Sequence, residues 1–394
     1  NEFLSALVNR IGLVMLLQKS VTNPLAPLKK GMLEYGETVE EVFVELAKPF
    51  EFDPAVAETN VFKREIPDVR AAFHILNYQK FYKATVSADQ LRQAFLSNEG
   101  VVDLISKIVD SMYSAANYDE FLAMKYLIAR NILDGKLYPV SIPNPTAANA
   151  KAVTTKIKGL SNAYEFMSTK YNLFGVHNHS EKNDQYLLIN SEFDSTMDVE
   201  VLASAFNMNK AEFMGHRILV DSFGSLDTDR LNFLFAEQPG YVEITEEERA
   251  ALDAIPAILI DKNWFMVLDN LYTFREKENG EGLYWNYWLH VWKTLSTSPF
   301  ANASVFVPGT PSITSVTVTP SAVTAAPGQT VQLAVEVATE NFASKAVNWS
   351  ISPSAAGTVT TDGLVTLKDT ATGTVTVTAA SEFDSTKTGT CTIT

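Results

Sequence analysis

The chain has 394 residues, 46% of them hydrophobic, which is enough for two or three globular domains with a substantial core. It carries 31 Lys and Arg residues against 46 Asp and Glu residues, a formal net charge of -15, which argues against a groove that grips nucleic acid through clustered basic side chains. The single cysteine, Cys391, excludes an intrachain disulfide, and no apolar run approaches the length of a membrane span.

The first predicted element is a turn. Lys29 and Lys30 follow the stretch NPLAPL and are interpreted as exposed charges on that turn, with a subunit or scaffold contact as the alternative. The chain shows no signal peptide and starts at Asn1 rather than Met, so we expect its start to be incomplete.

Two segments near the beginning are expected to be extended. Residues 38–52 are rich in Glu, and residues 71–86 carry His74, Lys80 and Lys83. Two long strands joined by a charged excursion predict a projecting β-hairpin. Such a hairpin has too little core of its own and needs a neighbour to lie on.

A long helix is predicted next. Apolar residues recur at helical spacing between Leu104 and Ile132, and Gly135 stands where a helix C-cap is expected. The pattern predicts a helix over about 98–134, a rod of roughly 50 Å at 1.5 Å per residue. Few enzymes of this size need such a rod.

The middle of the chain mixes helices and strands. The sequence predicts a second helix over about 147–169, strands at 185–190 and 216–223, and a helical piece at 198–215. The stretch 224–256 is strongly acidic, and we interpret it as a solvated insertion with a short helix.

A second hairpin is predicted around a stretch with three tryptophans in eleven residues, GLYWNYWLHVW. The segments 261–274 and 282–295 flank a polar turn in which Asn279 and Gly280 can supply positive φ angles. The tryptophan spacing also permits a helix, but the turn signal and the aromatic content favour strands. Neither face of the second strand is simply polar, so we predict that protein covers both faces; stacking on sugars or cations is the alternative.

The composition changes at a Pro- and Gly-rich joint, 308–311, which predicts a boundary between domains at 1–310 and 311–394. After it, short alternating strands separated by turns indicate a small β-sandwich, with Trp349 placed to fill its core. The ordered motifs PGQTVQLAV, VNWSIS, TDGLVTL and GTVTVTA resemble the bacterial immunoglobulin-like group 2 (Big2) domains.

Residues that could carry chemistry form only weak patterns. His177 and His179 could be half of a metal site near Asp184, but no third His or Cys lies at a suitable spacing. The carboxylate runs at 40–41 and 246–248 are interpreted as solvated faces, since apolar surroundings that would raise a pKa are not evident. No nucleophile, nucleotide-binding or metalloprotease motif occurs. We therefore assign no catalytic, cofactor-binding or metal-binding residue and expect no cofactor.

Several segments in order, followed by the Big2-like region, resemble the major capsid proteins of the small short-tailed phages of the phi-29-like group. These segments are VNRIGLV (8–14), NPLAPLKKG (23–31), VFKREIPDV (61–69), DVEVLASAFNMNKAEFMG (198–215), DKNWFMVLDNL (261–271), GLYWNYWLHVW (282–292) and SPFANA (298–303).

The resemblance implies an α+β fold of the Hong Kong 97 (HK-97) capsid type with a C-terminal all-β immunoglobulin-like sandwich. Its parts would be an N-terminal arm, an extended loop (E-loop) at about 31–90, a spine helix at about 98–134, an axial (A) domain at about 185–260, and a peripheral (P) domain. The tryptophan hairpin would belong to the sheet of the P domain. The stretch 224–256 is longer than the family pattern leads us to expect.

The resemblance also implies a function. The chain would be a major capsid protein that self-assembles as hexamers and pentamers into the phage head shell around double-stranded DNA. Its partners would be other copies, a scaffolding protein during assembly, the portal or connector, and DNA bound without sequence specificity, with no membrane. It would act in the virion after assembly in the bacterial cytoplasm. Charged rows on the E-loop, including Lys80 and Lys83, would set register between neighbours. The alternatives are a surface adhesin that binds cell-wall carbohydrate through its immunoglobulin-like domain, and an enzyme.

Overall fold

The computed structural model of the protein describes residues 19–33, 38–54, 62–87, 98–198 and 216–394. The helices in these residues are α1 (Asn98–Leu133), α2 (Ala150–Ala163), α3 (Ser191–Met197), α4 (Thr228–Phe235) and α5 (Glu246–Asp253). The strands up to the joint are β1 (Gly31–Met32), β2 (Thr38–Val44), β3 (Val69–Ile75), β4 (Tyr78–Val86), β5 (Tyr138–Ile142), β6 (Gln185–Asn190), β7 (His216–Val220), β8 (Ala257–Asp261), β9 (Phe265–Asn279), β10 (Tyr284–Thr297) and β11 (Ala303–Pro308). Those after the joint are β12 (Ser312–Thr319), β13 (Ala322–Val323), β14 (Thr330–Gln332), β15 (Ala334–Glu340), β16 (Val347–Ser352), β17 (Gly357–Val359), β18 (Leu364–Leu367), β19 (Val375–Ser381) and β20 (Thr388–Ile393). None of the helices in this described part combines the length and the apolar character needed to cross a membrane.

The chain divides into two compact units. The first comprises Asn1–Val39, His74–Met124 and Val267–Leu295, and the second comprises Glu40–Phe73, Lys125–Met266 and Ser296–Thr394. The first unit contains a four-stranded sheet with the order β1-β9-β10-β4. In this sheet β10 pairs antiparallel with β4, and β1 pairs parallel with β9.

The tryptophan-rich stretch forms a strand, as predicted. Strand β9 has 15 residues and β10 has 14, and the two are neighbours in the sheet. The predicted turn geometry is wrong, because neither Asn279 nor Gly280 has a positive φ; Leu283 does, with φ 50°. The Asn279 side chain closes the turn instead, because its Oδ1 accepts the backbone N–H groups of Glu281 at 3.1 Å and Gly282 at 3.0 Å.

The long helix is confirmed. Helix α1 has 36 residues, about 54 Å at 1.5 Å per residue. Gly135 follows the helix in the left-handed region, with φ 68°. The N–H of Gly135 donates to the C=O of Ile132 at 2.9 Å, and the N–H of Lys136 donates to the C=O of Asn131 at 2.9 Å. This pair of bonds is a Schellman cap, which explains why glycine stands at this position.

The predicted strand at 71–86 is two strands. Strand β3 pairs with β2 in a separate two-stranded sheet, whereas β4 belongs to the four-stranded sheet. The change of partner falls at Leu76 and Asn77, where the Asn77 side chain bonds both the backbone N–H of Leu295 at 2.9 Å and its C=O at 2.8 Å. Strand β2 covers only the first part of the predicted segment 38–52.

The second unit is built on a five-stranded sheet with the order β5-β11-β8-β6-β7. Helix α2 packs on it through an apolar core, because its inward positions follow helical spacing while the strands are apolar along their length. The buried members of this core are Ile142, Val153, Ile157, Leu160, Tyr164, Leu187, Ile189, Phe193, Met197, Ala257, Leu259 and Phe306. Helix α2 is shorter than the predicted 147–169, and β7 ends at Val220 rather than at 223. The helical piece predicted at 198–215 lies almost wholly outside the described residues.

The acidic stretch 224–256 differs from the prediction, because it forms two helices, α4 and α5, and has an apolar inner side. Leu231 is 1% exposed and Leu252 is 0% exposed. The hydroxyl of Tyr126 donates to the C=O of Val242 at 2.9 Å and accepts its N–H at 3.0 Å. The acids are therefore the outer side of a packed segment rather than a solvated insertion.

Residues 312–393 form a β-sandwich of short strands around its own core, as predicted. Leu333, Val365, Val377 and Cys391 are fully or almost fully buried there. Trp349 packs against this core but is only partly buried, so it covers the side of the core rather than filling its centre. Burial raises the pKa of the Cys391 thiol, which keeps it a packing residue.

Candidate assembly surfaces

The arm, defined as residues 38–75, exposes an unusual amount of apolar surface. Phe52 and Phe62 are each 91% exposed, and Ile66 is 86% exposed. Other exposed apolar side chains on the arm are Val42, Val44, Leu46, Phe50, Val69, Phe73 and Ile75. Each such side chain gains about 1.5–3 kcal/mol when it leaves water, so leaving a set of this size exposed is costly for the single chain.

The base of the arm is held by polar contacts to the loop before β6. The backbone N–H of His177 donates to Glu45 at 3.2 Å, and its ring Nδ1 lies 2.6 Å from the same carboxylate. On the other strand, the Arg70 guanidinium donates to the C=O of Phe174. Residues 46–54, beyond this attachment, are exposed throughout.

Two of the three candidate metal residues have other side-chain partners. His177 is paired with Glu45, and Asp184 pairs with Lys262 Nζ at 2.7 Å. The backbone N–H of His179 donates to the neighbouring Asn178. Across the residues that the structure describes, no three His, Cys, Asp or Glu side chains form a group that could hold a metal ion.

The two carboxylate runs have structural partners. Glu41 accepts a hydrogen bond from Ser298 Oγ at 2.8 Å. The run 246–248 forms the first turn of α5, where Glu248 and Thr245 make a capping box. Acids in this position complement the helix dipole, so the run has a local stabilising role beyond solvation.

The interpretation of Lys29 as an exposed charge is wrong. Leu25 and Leu28 are 0% and 1% exposed, so the turn before Lys29 is anchored in the core. This draws the lysine inward, where its Nζ lies 2.8 Å from Glu120 Oε2 and 2.7 Å from Asp269 Oδ2.

Lys29 is one member of a buried charge cluster with Glu120, Asp269 and Lys293. The Lys293 ammonium bonds the same two carboxylates, Glu120 from α1 and Asp269 from β9. The side chains of Lys293 and Glu120 are only 4% and 6% exposed. Two positive and two negative charges balance, which is the condition under which such groups are tolerated inside a protein.

The cluster changes the proton affinities of its members. Burial works to raise the pKa of Glu120 and of Asp269, but the charges and hydrogen bonds of Lys293 and Lys29 overcome it, so both carboxyl pKa values are lowered. Burial works against the charged form of Lys29, yet its bonds to Asp269 and Glu120 leave its pKa raised. All three directions favour the ionised cluster.

This predicts an acid-dependent contribution to stability. A carboxyl whose pKa is lowered by folding stabilises the protein above its unfolded pKa of about 4 and loses that contribution as pH falls through the folded value. We expect the stability difference between the wild type and Asp269→Asn to be constant above about pH 5 and to shrink below about pH 4. Urea unfolding at several pH values measures it, and a difference that does not change with pH would contradict the prediction.

The two faces of β10 are covered to different extents. Leu289 and Val291 on the inner face are 0% and 1% exposed. On the outer face, Trp288 and His290 are only half-buried, and Phe81 beside them is 58% exposed. The prediction that protein covers both faces therefore holds for the inner face of the single chain and only partly for the outer one.

Lys80 and Lys83 do not lie on the arm. They lie on β4, where Lys80 is opposite Val291 and Lys83 is opposite Trp288. Lys83 Nζ sits 5.8 Å from the Trp288 ring. Both lysines therefore lie on the strand that follows the β2–β3 pair, in the four-stranded sheet, and their role in setting register between neighbours stays a prediction.

Comparison of the chain with models of known protein families identifies the family to which it belongs. A model described as the Phi29-like phage major capsid protein matches residues 1–307. The chain belongs to this family. The capsid protein also matches the bacterial Ig-like domain (group 2) model over residues 312–391. Both resemblances stated from the sequence are confirmed.

Relatives of the capsid protein carry the same description. It is 36% identical over 363 residues to the major capsid protein of Bacillus phage GA-1, an alignment that covers 89% of this chain and 71% of the relative. It is 35% identical over 374 residues to the major capsid protein of Bacillus phage PZA, covering 93% of this chain and 77% of the relative.

Solved structures show the fold. The capsid protein matches a chain in the capsid structure of Staphylococcus phage Andhra with a TM-score of 0.59 and 17% identity, covering 76% of this chain and 88% of that one. It matches a chain in the structure of the head fiber and inner core protein gp22 of native bacteriophage P68 with a TM-score of 0.59 and 17% identity, covering 75% and 87%. The predicted HK-97-type fold with a C-terminal Ig-like domain is confirmed. The capsid protein is thus a virion component that associates with its own copies in the shell.

Proposed function

We propose that the capsid protein builds the head shell as hexamers and pentamers, with the arm of each copy lying on a neighbour. The observation that carries this proposal is the exposure of large apolar side chains along the arm. The base of the arm is held by the bonds between Glu45 and His177. Closed shells need one chain to repeat nearly the same contact around several axes. Individually weak arm contacts add up through multivalency in such a shell.

We propose different structural roles for two parts of the chain. Residues 1–310 form the shell wall, with the E-loop at about 31–90, the spine helix at about 98–134 and the A domain at about 185–260. Residues 311–394 form a domain that is braced on the wall. Support comes from a contact in the second unit, where Lys345 Nζ donates to the C=O of Leu133 at 2.9 Å, at the end of α1. A cation at a helix C-terminus is favourably placed.

The partners follow from the same proposal. A scaffolding protein during assembly, a portal or connector, and DNA enclosed without sequence-specific binding would complete the head, with assembly in the host cytoplasm. The net charge of -15 supports loose DNA contact, because a wall that binds phosphate tightly would hinder packing and release. We propose no enzymatic role and assign no catalytic, cofactor or metal residue. A role as a carbohydrate-binding adhesin is not favoured by the relatives, which are named major capsid proteins.

The arm predicts the effect of a paired substitution. Phe62→Ser with Ile66→Ser removes two exposed apolar side chains and is expected to abolish closed shells, because their burial against a neighbour is lost. Electron microscopy and sedimentation of the expressed chain measure the shells. The isolated chain should keep its urea midpoint, since exposed positions change stability by no more than about 0.5 kcal/mol.

Phe233→Ser is the matched control, because Phe233 is 84% exposed but lies on α4, away from the arm in sequence. We expect it to leave shells intact. Normal shell yield from the paired variant would refute the role of the arm.

A further inference from the structure

A loop in the second unit presents apolar side chains that are partly or largely exposed in this chain. Within residues 165–178, Phe166 is 72% exposed, Met167 49%, Leu173 38% and Phe174 40%. A cleft of about 460 Å³ adjoins this loop. Its lining includes Lys136, Tyr138, Lys170, Tyr171, Leu173 and Phe383.

Hydrogen bonds within the loop tie its two ends together and close its turn. Ser168 and Asn178 exchange backbone bonds at 3.0 Å and 3.1 Å. The Asn172 side chain bonds both the C=O and the N–H of Val176 at 2.8 Å each. A surface that is already ordered loses little conformational entropy when it binds, so it is suited to a contact.

The cleft carries charge beside its rings. Lys170 Nζ lies 4.8 Å from the Tyr138 ring, and Lys136 pairs with Asp134 at 3.2 Å. On the Ig-like side, Glu382 contributes an exposed carboxylate. Because Asp134 balances Lys136, the cleft offers the Lys170 ammonium and the Glu382 carboxylate next to apolar surface. A fitting occupant brings an acid for Lys170, a base for Glu382 and aromatic side chains.

One exposed segment of the arm has this composition. Residues 48–54 read Lys-Pro-Phe-Glu-Phe-Asp-Pro, with one basic and two acidic side chains. Phe50 is 69% exposed and Phe52 is 91% exposed, and Glu51 between them is exposed as well. The two flanking prolines restrict the backbone before the segment binds. The segment is therefore short, aromatic, acidic and stiffened.

We propose that residues 48–54 of a second copy of the chain occupy this cleft. Glu51 of one copy meets Lys170 of the other, and the adjacent phenylalanines pack against Leu173 and Phe383. The proposal rests on the proposed arm-to-neighbour function and adds the receiving site and the residues that set the register. It assigns the Ig-like domain a part in the contact, because Phe383 and Glu382 form one side of the cleft.

Mixed cysteine shells test the contact directly. One chain carries Phe52→Cys, and a second, tagged chain carries Leu173→Cys; the two are co-expressed, and their shells are oxidised. A disulfide-linked dimer of one tagged and one untagged chain is expected, and the native Cys391 is buried, so it contributes no background. Phe233→Cys replaces Leu173→Cys in the control pair, and that pair should give no mixed dimer.

The outcomes separate this proposal from the function on which it rests. Shells that form without the mixed dimer, for both Phe52→Cys and Phe50→Cys, would overturn the docking site and leave arm-driven assembly standing. Failure of the wild-type chain to form shells would overturn the proposed function itself. Exchanging the two charges is a second test of the contact. Lys170→Glu and Glu51→Lys should each lower the yield of shells, and the variant that carries both substitutions should restore that yield. No recovery in the combined variant would count against the pairing.

Discussion

Lys293→Met is expected to lower the free energy of unfolding of the capsid protein by about 3–5 kcal/mol, the usual cost of breaking a buried ion pair from one side. The Lys293 side chain is 4% exposed and bonds both Glu120 and Asp269. Methionine fills most of the lysine volume, so packing is largely kept. The loss arises because Lys29 alone must then balance two buried carboxylates.

Urea unfolding of the unassembled chain at pH 7 measures this loss. Lys277→Met is the matched control, because Lys277 lies exposed on β9 of the same hairpin. The control should change stability by no more than about 0.5 kcal/mol. Equal midpoints for the two variants would show that the cluster does not contribute to stability as the geometry requires.

Gly135→Ala is expected to cost about 2–4 kcal/mol, more than an ordinary surface change. Gly135 has φ 68°, where a side chain is strained, and an added Cβ would lie 2.7 Å from the C=O of Ala343 and 3.0 Å from the N–H nitrogen of Lys345. Both of those atoms are backbone atoms, so neither can rotate away. The end of α1 and the loop between β15 and β16 of the Ig-like domain would have to separate, weakening the bond from Lys345 to Leu133.

Gly159→Ala is the matched control for Gly135→Ala. Gly159 lies inside α2 with open space around its Cα, so alanine there is expected to stabilise the helix by up to about 1 kcal/mol. Thermal unfolding of both variants, with proteolysis at the 308–311 joint, measures the contrast. A Gly135→Ala protein as stable and as resistant as the wild type would contradict the close approach.

Elements with a local signal could be predicted from the sequence. The apolar spacing and Gly135 defined α1 to within a residue or two, because helix periodicity and a C-cap are encoded by neighbours along the chain. The tryptophan hairpin and the sandwich after 311 were likewise visible in turn residues and alternation.

Features that depend on distant residues could not be predicted. Strand periodicity does not say which strand is the partner, so the change of sheets at Leu76 and Asn77 had no sequence signal. The burial of Lys29 depends on Glu120 and Asp269, which lie 91 and 240 residues away. A lysine in the apolar run of β10 was a usable hint for Lys293, because a charge there needs a partner.

Only one of the two surfaces in the proposed contact could be predicted from the sequence. The sequence indicated a projecting hairpin that needs a neighbour, but it gave no sign that the cleft beside Lys170 exists. That cleft is formed by three separate segments of the chain: residues 135–138 after α1, the 169–175 loop and the Ig-like domain. Only folding brings them to one place.

The buried charge cluster also limits how this chain can diverge. Loss of any one of Lys29, Glu120, Asp269 or Lys293 leaves an unbalanced charge in an apolar interior, so a single substitution passes through a destabilised intermediate. Replacing a lysine and a carboxylate together restores neutrality. In relatives such as the 36% identical major capsid protein of Bacillus phage GA-1, we therefore expect either all four residues to be kept or one lysine and one carboxylate to be replaced together. The need for a neutral interior, rather than assembly, would couple these positions in evolution.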